Sequence, residues 1–303
     1  MVSASTLIIL ISVPFLVAAQ NLTAVYVDPL PYSWYNLAAY FDGSSDSIFT
    51  FGGFNTATGE KGEILRFDIA TGTNTLVGHM PGYLSDISVQ GDSSSSIYLF
   101  GWGGSTSNII YKCNPLINVT AYVGQIPLVP RYSITTTLRK AEDSEEILIF
   151  EGQSHYHRVA SFNMSTLIAT EKGSLVPGLR SATSVRVGGK AYLFGIAAPH
   201  NSAFQVLDLE TLEGPVFDVG FFPFNHAPEV VYNGENIYIL GGNRGPPSRG
   251  ILQLDPNSHE WRLVPVDNFQ LQDEDYYYDV APVPIYVEKL GRIYFFGGKV
   301  MNR

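Results

Sequence analysis

Two arginines stand where they could bind an acidic group. Arg131 directly follows Pro130, and Arg180 comes shortly after Pro177. The planar guanidinium of arginine binds a carboxylate through two parallel hydrogen bonds, which a lysine cannot do. We therefore predict that Arg131, its neighbour Tyr132, and Arg180 bind ligand. The alternative is that each arginine forms an ion pair within the protein.

Histidines raise the question of a metal site. His155 and His157 lie close together, and His200 and His226 follow later in the chain. Neutral imidazoles from neighbouring loops bind zinc, copper or iron, but a pair without a defined spacing is a weak signal. We predict no metal and no cofactor. His226 is kept as a candidate ligand-binding residue.

A run of three tyrosines, Tyr276, Tyr277 and Tyr278, is flanked by acidic residues between Gln272 and Asp279. Tyrosines make large contacts at a low entropic cost, and acid-flanked tyrosines in a secreted protein suit sulfation. We predict a binding loop for a basic or carbohydrate partner. The alternative is a solvated loop whose tyrosines cover the edge of a sheet.

No motif of a known catalytic site is present. The sequence has no Gly-x-Ser-x-Gly, no His-Glu-x-x-His and no Gly-x-x-x-x-Gly-Lys. These motifs place a nucleophile, a zinc ion and a phosphate group respectively. We therefore predict that the protein is not an enzyme.

The first nineteen residues are typical of a signal peptide. They carry no charged side chain, and an apolar run leads to Val17-Ala18-Ala19, whose small residues suit signal peptidase. A membrane anchor is the alternative, but Thr6 to Ala19 gives only fourteen residues where a span needs about 20. We predict a signal peptide at 1–19 and an extracellular protein from Gln20 onward.

Three Asn-x-Ser/Thr triplets agree with secretion. They begin at Asn21, Asn118 and Asn163. Each is an acceptor for an N-linked glycan if it lies on the surface of a protein in the secretory pathway. We predict glycosylation at all three.

A short apolar strand that runs into glycine recurs six times. The strand ends are spaced by 49, 50, 44, 46 and 56 residues. A second signature alternates with the first, in which an apolar strand ends in Asp or Asn followed by turn residues, since these side chains bind their own downstream backbone. The glycine-ended strands start at Ile48, Ile97, Ile147, Ala191, Ile237 and Ile293, and the second signature ends at Asp28, Asp68, Asn114, Asn163, Asp208 and Asp255.

This pattern resembles the kelch repeat, a four-stranded blade of a β-propeller with a period near 50 residues and a diglycine at a strand end. The resemblance extends from about Asn21 to about Lys299. It departs from the pattern at Glu151-Gly152 and Gly195-Ile196, which lack the diglycine. The resemblance implies an all-β fold, a six-bladed propeller formed by residues 20–303.

The ring must also close. The repeats begin at the turn signature and end at the glycine signature, so we expect N-terminal strands to pair into the C-terminal blade, which runs from Ala281 to Gly298. Such pairing removes an exposed sheet edge.

In kelch domains that recognise peptides, arginines placed like Arg131 and Arg180 face the binding pocket.

Composition narrows the function further. Only 15% of residues are charged and the net charge is −10, so the chain lacks the basic surface that nucleic acids require. A single Cys excludes a disulfide scaffold. We predict a secreted scaffold without a membrane span that binds a protein or carbohydrate through its loops. The alternatives are a sugar mutarotase or epimerase that uses Asp86 or Glu229 beside an arginine, and a cytoskeletal adaptor.

Overall fold

The computed structural model describes residues 9–12, 22–26, 30, 36–55, 59–60, 62–82, 84–92, 96–102, 109–127, 134–140, 145–151, 157–175, 179–197, 201–219, 228–240, 250–267, 276–280, 282–297 and 299–302. They form an all-β propeller, as the repeats predict. The only helix among these residues is a single 3-10 turn, Glu288–Leu290.

Two N-terminal strands precede the first repeat: β1 (Ile9–Ser12) and β2 (Leu22–Tyr26). Blade one follows with β3 (Ala38–Asp42), β4 (Ser47–Phe51), β7 (Glu63–Asp68) and β8 (Thr73–His79); the short pair β5 (Phe54–Asn55) and β6 (Gly59–Glu60) lies between its second and third strands. Blade two contains β9 (Ser85–Gly91), β10 (Ile97–Trp102), β11 (Ile109–Asn114) and β12 (Val119–Gln125).

The next three blades repeat the same order. Blade three contains β13 (Ile134–Lys140), β14 (Glu145–Glu151), β15 (Arg158–Asn163) and β16 (Ile168–Ser174). Blade four contains β17 (Arg180–Val187), β18 (Lys190–Ala197), β19 (Asn201–Asp208) and β20 (Val216–Asp218). Blade five contains β21 (Glu229–Tyr232), β22 (Ile237–Leu240), β23 (Gly250–Leu254) and β24 (Trp261–Asp267).

The C-terminal part supplies β25 (Tyr276–Val280), β26 (Val283–Val287), β27 (Arg292–Phe296) and β28 (Lys299–Asn302). Blade six has the strand order β26, β27, β1, β2, so both N-terminal strands pair into the C-terminal blade. The predicted closure of the ring is therefore confirmed. The third strand of this blade comes from Ile9–Ser12, inside the predicted signal peptide, whose cleavage after Ala19 stays a prediction.

The predicted count of six separate blades needs a correction. The hydrogen-bonded sheets of the ring number five: four have four strands and one has eight. The eight-stranded sheet consists of blades five and six, joined where β2 runs parallel to β24 with Leu22 opposite Val266 and Thr23 opposite Asp267. This two-residue contact is the physical reason for the lower count.

The ring is closed at its centre. Each innermost strand contacts the next, in the order β3, β9, β13, β17, β21, β26 and back to β3. Apolar side chains fill the spaces between neighbouring sets of four strands, because the second strand of each blade is buried on both faces. In blade one, for example, Phe49 and Phe51 pack toward blade two, whereas Ile48 packs toward blade six.

The turns predicted from Asp and Asn are confirmed in the five blades where they are described. The side-chain oxygen of Asp68 accepts the backbone N–H of Thr71 at 2.8 Å, and that of Asp255 accepts the N–H of Asn257 at 2.8 Å. These backbone hydrogen bonds hold the pKa of both carboxyls below the usual range. Asp28, the sixth member, lies outside the described residues.

The candidate binding site at the mouth of the central channel

Two kinds of loop open on one face of the ring, which we call the loop face. The chain passes there from the second to the third strand of a blade, and from each blade to the innermost strand of the next. The innermost strands therefore begin at this face, at Ala38, Ser85, Ile134, Arg180, Glu229 and Val283. Their first residues surround the mouth of the central channel.

Glu229 is the most perturbed acidic group of the described chain. It opens β21, and its backbone lies opposite Leu240. Burial of the carboxyl raises its pKa to about 8, although the residue as a whole keeps partial exposure. Its carboxyl has no hydrogen-bond or ion-pair partner among the residues that the structure describes. At neutral pH it is therefore mainly protonated, and it can both donate and accept a hydrogen bond.

A second carboxyl lies at the same face, in blade three. Glu151 ends β14 opposite Ile134, and its side chain is 1% exposed. Its Oε2 accepts a hydrogen bond from Nε of Arg158 at 3.0 Å. Its Oε1 is buried, and no described residue donates to it. A buried carboxylate oxygen without a donor is costly, so the site is suited to a ligand that supplies one.

Sequence reasoning missed Glu151. The signal was present, because Glu151 stands where the repeat has the first glycine of the diglycine. From the sequence alone, this departure is only the loss of a diglycine. In the structure, a glutamate side chain stands at a strand end where other repeats have glycine, and its carboxyl accepts a hydrogen bond from Arg158.

Hydroxyl groups fix the innermost strands of blades two, three and four against one another. Ser184 Oγ lies 2.7 Å from Thr135 Oγ1 and 2.9 Å from Thr137 Oγ1. Thr136 Oγ1 lies 2.7 Å from Ser88 Oγ, on the other side of the same strand. These bonds join the innermost strands of three blades on this side of the channel, from which the loops of the loop face extend.

The structure describes only some of the predicted ligand-binding residues. Arg180 is the first residue of β17, and its backbone lies opposite Ile196, so the ring brings Arg180 and Glu229 to the starts of neighbouring innermost strands. Its side chain is not among those described. Arg131, Tyr132 and His226 lie outside the described residues.

We predicted that the tyrosine run lies in a loop, but in the structure these residues form a strand. Tyr276, Tyr277 and Tyr278 belong to β25, which pairs with β28 near the C-terminus. Tyr276 lies opposite Asn302, Tyr277 opposite Met301 and Tyr278 opposite Val300. The backbone hydrogen bonds of the two strands explain why this segment is extended. The preceding acidic residues, 272–275, lie outside the described residues.

Two of the predicted glycosylation sites lie on the face opposite the loops. Asn118 is exposed in the turn between β11 and β12, and Asn163 begins the turn between β15 and β16. The Oδ1 of Asn163 accepts the backbone N–H groups of Ser165 and Thr166 at 3.0 and 2.9 Å, which leaves its amide nitrogen available. Glycans there would point away from the loop face. Asn21 lies outside the described residues.

The opposite face also carries a cleft of about 300 Å³, lined in part by Lys190, Tyr192 and Asp208. Two of its polar groups already have structural partners. Tyr192 donates a hydrogen bond to the carbonyl oxygen of Pro256 at 2.7 Å, and Asp208 Oδ1 accepts backbone N–H groups of its own turn. The loop face, with its incompletely bonded carboxyls, is the better candidate.

Among the residues that the structure describes, no group of three or more His, Cys, Asp or Glu side chains is placed to hold a metal ion. The described chain also contains no helix of the length and apolarity that crossing a membrane requires.

Neither the models of protein families nor the sequences of curated proteins gave a match to this chain. The chain is therefore assigned to the β-propellers on its structure alone.

Proposed function

We propose that the protein is a secreted, glycosylated propeller of the kelch type that binds a protein or a glycan at its loop face. One observation supports this most: a single face of the ring holds two unusual carboxyls, Glu151 with a buried oxygen that no described residue donates to, and Glu229 with a pKa raised by burial. The candidate arginine Arg180 begins β17 at the same face.

The chemistry of the two carboxyls narrows the ligand. Glu229 is neutral near pH 7 and can exchange hydrogen bonds with a hydroxyl group, while Glu151 keeps one oxygen for a donor. Sugar hydroxyls and the amide or ammonium groups of a peptide provide such donors. A binding site of this kind needs no reacting group, which agrees with the lack of a catalytic motif.

Immobilised glycans and extracellular peptides, screened with the purified protein, test the proposal. We expect Glu229→Ala and Glu151→Ala each to weaken binding of the best probe at least about tenfold, as expected when a buried hydrogen bond is lost. Glu210→Ala, on an exposed turn of the opposite face, is the matched control. Equal binding by all three variants would exclude the loop face as the site.

A sugar mutarotase or epimerase is the second candidate, because a carboxyl with a raised pKa is suited to general acid–base catalysis. Arg180 and Glu229 begin neighbouring innermost strands, so both could contact one sugar. Exchange of anomers, followed by NMR with sialic acids and hexoses, distinguishes the two functions. Exchange that disappears in Glu229→Gln, with the fold intact, would favour the enzyme.

A further inference from the structure

The third strand of a blade has a recognisable ending. In five blades an Asp or Asn stands at the end of this strand or directly after it, and its side-chain oxygen accepts a backbone N–H two or three residues later. The five residues are Asp68, Asn114, Asn163, Asp208 and Asp255. Each closes the turn into the fourth strand.

Blade six does not follow this rule. Its third strand is β1, which ends at Ser12 and has Val13-Pro14 after it. The expected ending, Asp28, comes instead after β2, which occupies the fourth position. The segment with the sequence of a third strand is therefore one position further out than in the other blades.

Burial gives an independent sign of the same displacement. The residue three places before the Asp or Asn is at most 8% exposed in all five blades; these residues are Leu65, Tyr111, Ala160, Gln205 and Leu252. The equivalent residue of β2 is Val25, which is 48% exposed. The side chain at this position is buried in every other repeat, and the apolar side chain of Val25 faces solvent instead.

The contact between β2 and β24 is a third sign. Blades one to four are each a separate sheet, and only blades five and six share one. The junction is the parallel contact of Leu22 and Thr23 with β24. It exists because β2 lies at the outer edge of blade six, next to the outermost strand of blade five.

We propose that β1 and the segment Leu22–Asp28 compete for one position beside β27, and that Leu22–Asp28 takes it in the chain that begins at Gln20. This inference rests on the removal of residues 1–19 that the proposed function includes. The strand-accepting edge of β27 is then a binding site whose occupant changes when the leader is removed.

The other blades define the new register. In all five, the first residue of the glycine-ended strand lies opposite the residue before the Asp or Asn, for example Ile48 opposite Phe67 and Ile237 opposite Leu254. Applied to blade six, this rule places Ile293 opposite Val27 and Tyr294 opposite Tyr26. Val25 then lies opposite Phe295 and is buried.

The exchange requires Leu22–Tyr26 to reverse its direction, because β2 now runs parallel to β27 and a third strand is antiparallel to the second. The connection to β3 permits this. Residues 29–37 can span up to about 30 Å, while a five-residue strand such as β3 is roughly 17 Å high. The chain can therefore return from Asp28 to Ala38 without moving blade one.

Disulfide trapping of Tyr26→Cys with Tyr294→Cys tests the exchange. With β1 in place, two strand spacings of about 4.8 Å each separate these positions, which exceeds the reach of a disulfide. After the exchange they are direct neighbours. The native Cys113 is buried and does not compete.

We expect this disulfide in protein purified from the medium of a secretory host, and not in the full chain produced in a cytosol and oxidised after purification. The matched pair Leu10→Cys with Tyr294→Cys, opposite each other now, should link only in the full chain. Asp28→Cys with Arg292→Cys repeats the test at the less buried end of the strand, in case loss of Tyr294 prevents folding.

Mass spectrometry of the N-terminus separates the two proposals. Suppose that protein from the medium begins at Gln20 but forms neither the disulfide between positions 26 and 294 nor the one between 28 and 292. This result would overturn the exchange and leave the proposal of secretion intact. If no protein is exported, the proposal of secretion fails, and chain 20–303 from the cytosol is tested instead. Failure of that chain to fold would show that β1 is an essential strand, and would also overturn the exchange.

Discussion

Ser184 Oγ lies 2.7 Å from Thr135 Oγ1, which joins the innermost strands of blades three and four. The same hydroxyl is 2.9 Å from Thr137 Oγ1 and donates to the carbonyl oxygen of Thr136 at 3.2 Å. Three hydrogen-bonding groups of one strand therefore meet one serine of the next. Since Thr135, Thr136 and Thr137 are all buried, water does not readily replace a lost partner.

Ser184→Ala should destabilise the protein by about 1–3 kcal/mol, because it leaves buried hydroxyls without their partner. Ser174→Ala, at the exposed end of β16, is the control and should change stability by less than about 0.5 kcal/mol. Urea unfolding of both variants measures the difference. Equal stabilities would show that the hydroxyl contacts contribute nothing to the joint between blades.

Glu229 should make stability depend on pH. Its pKa is raised from 4.5 to about 8 in the folded protein, so between these values the unfolded chain has lost a proton that the folded chain keeps. The free energy of unfolding therefore falls as the pH rises through this range, by at most about 1.4 kcal/mol per pH unit. Below pH 4.5 this effect is absent, and above pH 8 the loss is complete.

Glu229→Gln replaces the titrating carboxyl with a neutral amide and should make the free energy of unfolding less dependent on pH. The variant should gain stability relative to the unchanged protein at pH 8, and not at pH 4. Urea unfolding at both values measures the gain, with Glu210→Gln as the exposed control. A gain of the same size at both values would mean that the carboxyl does not keep its proton at neutral pH.

Arg158→Ala should be strongly destabilising, by about 3–5 kcal/mol, because it leaves the Glu151 carboxylate buried without its ion-pair partner. The double variant with Glu151→Gln should recover much of this loss, since the neutral amide tolerates burial better than a charge. A double-mutant cycle in urea measures the coupling. Additive effects would show that the pair is not coupled in the folded protein.

The repeats were sufficient to predict the strands and their turns. Ile237 to Leu240 is apolar throughout and forms a strand buried on both faces. Asp255 closes the turn between β23 and β24, as expected. Both features depend on local sequence alone. For this reason they could be predicted without knowing what the blade packs against.

Other features depend on pairing between distant segments, which one sequence does not reveal. Tyr276–Tyr278 became part of a strand because Lys299–Asn302 pairs with it. Ile9–Ser12 entered blade six because β27 had a free edge. The burial of Glu229 depends on the strands that surround it, and the perturbed carboxyl could be proposed from sequence only as one of two candidates.

A glycine at the end of the second strand can be required by its backbone conformation or by the close approach of the next blade, and Gly52 meets both conditions. Its φ of +60° is unfavourable for other residues, and an added Cβ would lie 2.8 Å from the carbonyl oxygen of Leu84 in the next blade. Gly72 has a similar φ of +70° in an exposed turn, but nothing lies within 4 Å of its Cβ position. Gly72→Ala should therefore destabilise by about 1–2 kcal/mol from the backbone alone, and Gly52→Ala by about a further 1–3 kcal/mol from the clash. Thermal unfolding of the two variants measures the difference. If they are equally destabilised, the glycine serves the turn only, and close approach of the blades does not require it.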